Sequence, residues 1–248
     1  MKVRNIILAI LVVLIFIVLE VIVMGYYQKT IEVVKNPIVT MEIQDYGTVK
    51  IELYPDQAPN TVANFIELIN EGYYNGLTFH RVVPNALIQG GDKDGTGSGQ
   101  VDFAIEGEFL ANGFKQNTIR HEEGTISMAR ADYSQIDSSL TTDGYNSAGT
   151  QFFICVDTNK GWDGLYAAFG KVIEGMDIVK ALSNVPTTAD ANGDNSKPTK
   201  PPVIKSMTVD TFGVDYGQPK RIEPFDVNAW YQQQYSNYDL NDIIIPGN

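Results

Sequence analysis

The chain has 248 residues, a hydrophobic content of 44% and a formal net charge of −12 at pH 7. This length and apolar content suffice for one sizeable domain with additional segments. Because 18 basic residues are scattered among 30 acidic ones, the charge pattern argues against a nucleic-acid partner, which needs clustered Lys and Arg. The acidity is interpreted as a solubility feature. The single cysteine, Cys155, excludes an intramolecular disulfide and is expected to be buried.

The first predicted element is an apolar run over residues 6–24, interrupted only by Glu20 and preceded by Lys2 and Arg4. A run of 19 residues is long enough to cross a bilayer core. A cleaved secretory signal has a shorter apolar stretch followed by a small-residue cleavage site, and no such site follows this run. We therefore predict an uncleaved transmembrane signal-anchor, with the remaining chain outside the cytoplasmic membrane. Secretion after removal of a signal peptide is the alternative.

Alternating apolar residues and turn signals predict short strands through the rest of the chain. They are expected at 38–43, 48–53, 78–83, 87–90, 124–128, 152–156 and 203–209. One helix is predicted to begin at Pro59 and to end at Gly72, and a second to span residues 176–182. Many short strands with only two helices favour a closed antiparallel β structure.

Two segments stand outside this pattern. Residues 132–150 are rich in Ser, Thr, Asp, Tyr and Gly, and residues 214–248 form an aromatic and acidic tail. The tail is too aromatic for plain disorder, so we expect it to fold back on the preceding domain. The predicted organisation is a cytoplasmic end, a membrane anchor, a linker, one domain with 132–150 as an enlarged loop, and the tail. Their bounds are 1–5, 6–24, 25–37, 38–213 and 214–248.

The most informative run is FHRVVPNALIQGGD, residues 79–92, which places Arg81 and Gln89 in an otherwise apolar strand–turn–strand segment. Residues 127–130 and 151–154 repeat the pattern of a few polar groups among packed hydrophobic ones. An arginine stays cationic at any relevant pH. A fixed guanidinium beside an apolar pocket therefore suits chemistry on a neutral amide, with no nucleophile required.

Six motifs follow one another along the chain: FHRVVP, IQGGD, GTGSG, GTISMAR, QFFI and FGKVIEGMDIV. Together they resemble the cyclophilin family of peptidyl-prolyl cis–trans isomerases, over roughly residues 38–211. The resemblance implies an all-β fold, a closed eight-stranded antiparallel barrel capped at each end by a helix. It also implies activity on proline-containing polypeptides, without cofactor or metal. Together with the predicted N-terminal anchor, the resemblance predicts an isomerase that assists the folding of exported proteins.

By the same resemblance, Arg81 and Gln89 are the catalytic residues, and the two glutamines Gln89 and Gln151 hold the substrate backbone and orient the arginine. The residues implied to contact substrate are Ala86, Leu87, Gly95, Ala129, Arg130, Gln151, Phe153, Trp162 and Tyr166. For Arg81, a structural salt bridge is the alternative role. For Leu87 and Phe153, the alternative is packing in the core.

The chain departs from the family pattern at four of these positions. Ala86 stands where phenylalanine is usual, Tyr166 where histidine is usual, and Arg130 where asparagine is usual, while Trp162 comes one place later. These changes leave cyclosporin binding open. They also motivate an alternative function, a catalytically weak binding or chaperone module for envelope proteins.

The other residues that could bind a metal or act as a nucleophile do not predict a further site. His80 and His121 lie apart in sequence without the spacing of metal ligands, so structural roles are favoured. The acidic residues near Asp190 lack the glycine and the final glutamate of a calcium loop. Ser127 has no base at motif spacing, so no serine hydrolase is predicted.

Overall fold

The computed structural model describes residues 2–30, 35–99, 101–191 and 193–234, in two compact units that comprise residues 1–35 and 36–248. The first unit contains helix α1 (Lys2–Thr30), which includes the apolar run 6–24. Its apolar side chains from residue 10 to residue 23 are exposed. Among the described residues, no helix meets the length and apolarity required to cross a membrane. The predicted transmembrane segment is therefore not confirmed.

The second unit is built on one antiparallel sheet of eight strands. In space the strands follow the order β10-β1-β2-β7-β5-β6-β4-β3. Their bounds are β1 (Ile38–Ile43), β2 (Gly47–Leu53), β3 (Thr78–Val83), β4 (Leu87–Asp92), β5 (Thr125–Met128), β6 (Phe152–Cys155), β7 (Ala168–Glu174) and β10 (Ile204–Asp210). Two short strands, β8 (Thr187–Ala189) and β9 (Asn195–Pro198), form a separate pair. All seven predicted strands are confirmed, with bounds that differ by at most two residues at either end.

The predicted closure of the barrel is wrong, because the sheet is an open half-barrel with β3 and β10 at its two ends. The two ends approach each other at an isolated bridge between Thr78 and Val203. Nearby, the Phe79 N–H donates to the carbonyl of Pro202 at 2.9 Å. Proline has no N–H to donate, so the Pro201-Pro202 pair before β10 cannot extend a regular ladder.

Helix α2 (Pro59–Asn70) supplies much of the core, as its apolar spacing predicts. The residues expected on its inner face are all buried: Val62, Phe65, Ile66 and Ile69. The Phe65 ring lies 5.5 Å from Phe152 of β6 and 5.0 Å from Phe169 of β7, both in edge-on geometry. Helix α4 (Met176–Ser183) confirms the second predicted helix and contacts β2, β3 and β4.

The two segments outside the strand pattern also have ordered structure. The enlarged loop contains two 3₁₀ turns and the short helix α3 (Thr141–Tyr145), and the tail contains α5 (Val227–Gln234). In the tail, Ile222 exchanges two backbone hydrogen bonds of 2.8 Å with Ala104. The expectation that the tail folds back on the domain is therefore confirmed for its described part, while residues 235–248 lie outside the described residues.

Candidate functional site

Strand register places four of the singled-out side chains in one row across the sheet. Arg81 of β3 lies opposite Gln89 of β4, and Gln89 lies opposite Phe153 of β6. Phe153 in turn lies opposite Ser127 of β5. Residues that are directly opposite in an antiparallel pair point to the same face of the sheet. The row therefore brings a cation, an amide and an aromatic ring onto one face.

The opposite face of the same strands forms the core. Phe152 and Ile154 belong to the main hydrophobic core, whereas Phe153 and Cys155 belong to a separate apolar cluster. This separation follows from the alternation of side chains along a strand. The QFFI motif thus contributes one phenylalanine to folding and the next to the site.

A β-bulge at His80 gives Arg81 its place on the site face. Phe79 pairs with Gly90 and Arg81 pairs with Gln89, so His80 is an extra residue in β3. Residues two apart on a regular strand share a face, and a bulge breaks this rule. Phe79 is consequently fully buried in the core, while Arg81 is half-buried on the other face.

A chain of side-chain hydrogen bonds fixes the polar part of the site. The Arg81 guanidinium donates to Gln89 Oε1 at 3.3 Å, and Gln89 Nε2 donates to Gln151 Oε1 at 3.0 Å. Gln151 Nε2 donates to the backbone carbonyl of Gly97 at 3.1 Å. Within the described part of the chain, Arg81 forms no ion pair with a carboxylate. Most of its five N–H donors therefore remain available to a ligand.

Asp92 holds the glycine-rich loop that ends this chain. Its buried carboxylate accepts hydrogen bonds from four backbone N–H groups, those of Asp94, Thr96, Gly97 and Gly99. Burial alone would raise the pKa of Asp92, but these four bonds outweigh it and hold the pKa below its usual value. Asp92 is not among the site residues predicted from the sequence. The signal available was an Asp immediately before a Gly-rich stretch, a composition typical of side-chain-to-backbone turns.

The apolar part of the site is a cluster of aromatic and aliphatic side chains, which we call the aromatic cluster. Leu87, Phe153 and Cys155 form its buried base. Val83, Ala129, Trp162 and Tyr166 pack against them. The Phe153 ring lies 5.2 Å from Trp162 and 5.6 Å from Tyr166, edge-on in both cases. Five predicted substrate-contacting residues thus meet in one place: Leu87, Ala129, Phe153, Trp162 and Tyr166.

The remaining predicted contacts lie around this cluster. The Arg130 guanidinium is stacked over the rings of Tyr166 at 4.6 Å and Tyr145 at 4.9 Å, and its Nε donates to the carbonyl of Leu165. Ala86 lies in the turn between β3 and β4, outside the apolar cluster. Gly95 lies in the loop held by Asp92, where its backbone N–H donates to the Asp92 carbonyl.

A buried polar triad contacts the aromatic cluster through the His121 ring. Nδ1 of His121 lies 3.3 Å from Asp163 Oδ1, and its Nε2 lies 3.1 Å from Ser127 Oγ. The imidazole also stacks on Phe153 with 6.0 Å between ring centroids and 16° between planes. This base beside Ser127 is not predictable from the sequence, because His121 and Asp163 reach Ser127 only through the fold. Ser127 is fully buried, so no substrate reaches its hydroxyl and the triad is structural.

We predict a pH effect on stability from His121. Burial lowers its pKa, against the opposing effect of Asp163. The unfolded imidazole, with a pKa of about 6.5, therefore binds protons more readily than the folded one. This contribution to stability is fully present above about pH 6.5 and is lost as the pH falls towards the lower folded pKa.

The measurement is the free energy of unfolding between about pH 5 and pH 8, for wild type and His121→Gln. The stability advantage of the wild type should narrow as the pH falls, because glutamine does not titrate. His80 titrates in both proteins and cancels in the comparison. An advantage that stays constant over this range would contradict the prediction.

The site brings together a cationic donor, two amides and the aromatic cluster, and its Ser127 and Cys155 are fully buried. Burial raises the pKa of the Cys155 thiol to about 12, so this sulfur stays protonated and inert. Among the described residues, no cluster of three or more His, Cys, Asp and Glu side chains could hold a metal ion. The site is therefore suited to binding and polarising a neutral amide next to an apolar ring.

A family model and named relatives match this chain, and all of them are peptidyl-prolyl cis-trans isomerases. The family model for cyclophilin type peptidyl-prolyl cis-trans isomerases matches residues 38–209. Peptidyl-prolyl cis-trans isomerase B of Bacillus subtilis is 40% identical over 142 residues, which are 57% of this chain and 87% of that protein. A peptidyl-prolyl cis-trans isomerase of Synechococcus elongatus is 39% identical over 140 residues, covering 56% of this chain and 83% of that one.

Solved structures show the same likeness. A crystal structure of a cyclophilin type isomerase from Cryptosporidium parvum superposes with a TM-score of 0.58 at 28% identity, covering 71% of this chain and 98% of that one. The same protein crystallised in the presence of the dipeptide Ala-Pro gives a TM-score of 0.56 at 29% identity, with 70% and 98% coverage. Both matches include nearly the whole of the Cryptosporidium chain.

Proposed function

The chain belongs to the cyclophilin type peptidyl-prolyl cis–trans isomerase family, and we propose that its Arg81 guanidinium stabilises the twisted state of the peptide bond before proline. The enzyme class follows from the family and from the relatives that carry the same activity in their names. The roles of individual residues are our proposal. The observation that carries it is the row in which Arg81 and Phe153 share one face, separated only by Gln89.

The chemistry requires no covalent step. The bond before proline resists rotation by about 18–20 kcal/mol because the C–N bond has partial double-bond character. In the twisted state the nitrogen loses conjugation and gains basicity, so a cationic donor interacts with it more strongly than with the planar amide. An interaction that is stronger in the transition state than in the ground state lowers the barrier. An acceleration of ~10⁵-fold needs about 7 kcal/mol at about 1.36 kcal/mol per decade.

The other residues of the site have supporting roles in this proposal. The proline ring packs against the aromatic cluster, which fixes one side of the rotating bond. Gln89 receives a hydrogen bond from Arg81 and donates one to Gln151, so it orients the guanidinium. Gln151 donates to the Gly97 carbonyl and accepts from Gln89, and in this proposal it holds the substrate backbone. Orientation of this kind is needed for an electrostatic donor to act at the rotating bond.

The test of this function is an isomerisation assay with the purified full-length chain and a short Ala-Pro peptide. We expect the chain to accelerate cis–trans exchange, and to bind the peptide with its proline ring near Phe153. The rival function, a catalytically weak binding module, is motivated by Ala86, where the family usually has a phenylalanine. Binding of the peptide with an unchanged exchange rate would favour that module over the isomerase.

We further propose that the isomerase domain works outside the cytoplasmic membrane on exported polypeptides. Support comes from Lys2 and Arg4, which precede a run of exposed apolar side chains from Ile10 to Val23 in α1. The test is protease treatment of intact spheroplasts, followed by N-terminal sequencing of the protected fragment. Digestion of the domain is the expected outcome. A domain degraded only after lysis would overturn the proposed location.

A further inference from the structure

The guanidinium of Arg130 contacts two tyrosine rings of the protein itself. Its central carbon lies 4.6 Å from the centre of the Tyr166 ring and 4.9 Å from the centre of the Tyr145 ring. Its Nε donates to the Leu165 carbonyl at 3.1 Å, and its Nη1 donates to the Ala131 carbonyl at 3.0 Å. In the described part of the chain, Arg130 forms no ion pair with a carboxylate. The guanidinium therefore bridges two rings by cation–π contacts.

One of these rings packs on the aromatic cluster. Tyr166 lies edge-on to Phe153 with 5.6 Å between ring centres, and its ring centre is 6.5 Å from that of Trp162. The Leu165 carbonyl, which accepts from Arg130, belongs to the residue directly before Tyr166. Arg130 thus contacts both the ring of Tyr166 and the backbone that leads to it.

The other ring comes from the enlarged loop, to which the proposed function gives no role. Tyr145 is the last residue of α3, and its ring lies edge-on to the buried ring of Phe109 with 5.2 Å between centres. The side chain of the next residue, Asn146, accepts a hydrogen bond from the Gly107 N–H at 3.1 Å. These contacts tie the end of α3 to the segment around residue 108, so Tyr145 gives the guanidinium a fixed support.

Tyr145 itself lies outside the aromatic cluster. Within the described part of the chain, its ring contacts are with Phe109 and with Arg130. The link from the enlarged loop to Tyr166 therefore passes through the guanidinium. A substitution at Tyr145 reports on this link, because Tyr145 is not one of the residues on which the proline ring is proposed to pack.

We propose that Arg130 is a positioning residue for substrate binding, which fixes the Tyr166 ring on the aromatic cluster and is itself held by Tyr145. This inference rests on the proposed function, in which the proline ring packs against that cluster. Arginine suits the role because its planar guanidinium stacks on a ring while its N–H groups donate to carbonyls. A ring that is already fixed costs less ordering when a peptide binds, so the effect falls on affinity.

The experiment measures the dissociation constant of a short Ala-Pro peptide and its on-enzyme exchange rate by NMR exchange spectroscopy on the full-length chain. The variants are Arg130→Gln, Tyr145→Leu and the two combined, at a temperature where thermal unfolding shows each to be folded. Tyr145→Phe is the conservative variant, because phenylalanine keeps the ring. Arg221→Gln controls for the loss of a stacked arginine elsewhere, since that guanidinium lies 3.9 Å from the centre of the Phe103 ring and pairs with Glu67.

We expect Arg130→Gln and Tyr145→Leu each to raise the dissociation constant by about two- to fivefold, the effect of one partly exposed cation–π contact. The on-enzyme exchange rate should stay at the wild-type value, because the hydrogen-bonded chain that begins at Arg81 is untouched. The double variant should bind as well as Arg130→Gln alone, since both substitutions break the same bridge. Tyr145→Phe and Arg221→Gln should bind like the wild type.

An unchanged dissociation constant in Arg130→Gln would overturn the proposal. Weaker binding in Arg130→Gln without any effect of Tyr145→Leu would also overturn it, because the guanidinium would then contact the peptide directly. A wild type that binds the peptide without accelerating its exchange would contradict the proposed isomerase function alone. The dissociation constants would still decide the role of Arg130 in that case.

Discussion

Replacing Arg81 with alanine is expected to lower kcat/KM for an Ala-Pro peptide by about 10²–10³-fold, the usual loss when one preorganised transition-state donor is removed. The loss should fall on the chemical step, because the aromatic cluster of Leu87, Phe153, Trp162 and Tyr166 stays in place. Stability should change little, since Arg81 is only half-buried and forms no ion pair among the described residues. The measurement is steady-state isomerisation kinetics with thermal unfolding as the control.

The variant Arg81→Lys separates charge from geometry. Lysine keeps the positive charge but lacks the planar set of donors that reaches both Gln89 and a ligand. We therefore expect activity between those of wild type and Arg81→Ala. Full activity in Arg81→Ala would remove this residue from catalysis and leave it a structural role on the sheet.

The second large effect concerns two neighbouring phenylalanines on opposite faces of β6. Phe152 contacts Phe65, Tyr74 and Phe79 in the core. Phe152→Leu is therefore expected to lower the free energy of unfolding by about 1–3 kcal/mol. Its isomerase activity, measured at a temperature where the protein is folded, should remain close to that of the wild type.

Phe153→Leu should give the opposite result. Phe153 packs against Trp162, Tyr166 and His121 in the aromatic cluster, so leucine removes the aromatic surface that we propose contacts the proline ring. Aromatic pairs are worth about 0.5–1.5 kcal/mol beyond buried area, which corresponds to a rise in KM of about two- to tenfold. A variant that loses stability but keeps its KM would show that Phe153 is a core residue, the alternative raised by its apolar surroundings.

The sequence predicts the strands well because local patterns decide them. Residues 38–43 alternate in burial, residues 78–83 end in an apolar pair before the turn at Pro84, and both strands have the predicted bounds. The start of α2 is also predicted by a local signal, since proline is favoured at the first position of a helix and Pro59 begins this one. Closure of the sheet is a long-range property. It depends on how residues before β10 meet β3, and the Pro201-Pro202 pair interrupts the ladder there.

The site is predicted in part for the same reason. Arg81, Gln89 and Phe153 stand out by residue type, but the face on which Arg81 lies depends on the bulge at His80. A one-residue shift in pairing cannot be read from apolar alternation alone. The neighbourhood of Ser127 is likewise a product of folding, since His121 and Asp163 reach it from loops that are distant in the chain.

The composition of the tail predicts only part of its structure. Its aromatic content indicates that it packs on something, without indicating where. The structure places Phe225 against Tyr133 of the enlarged loop, so the two segments outside the strand pattern meet beside Gln89 and Gln151.

The central claim is that Arg81 binds the twisted amide more strongly than the planar one. The most direct measurement is NMR exchange spectroscopy on an Ala-Pro peptide with wild type and Arg81→Ala, which gives the dissociation constant and the on-enzyme exchange rate separately. We predict a dissociation constant within a few-fold of the wild-type value and an exchange rate lowered by about two orders of magnitude or more. Weaker binding with an unchanged on-enzyme exchange rate would contradict the account.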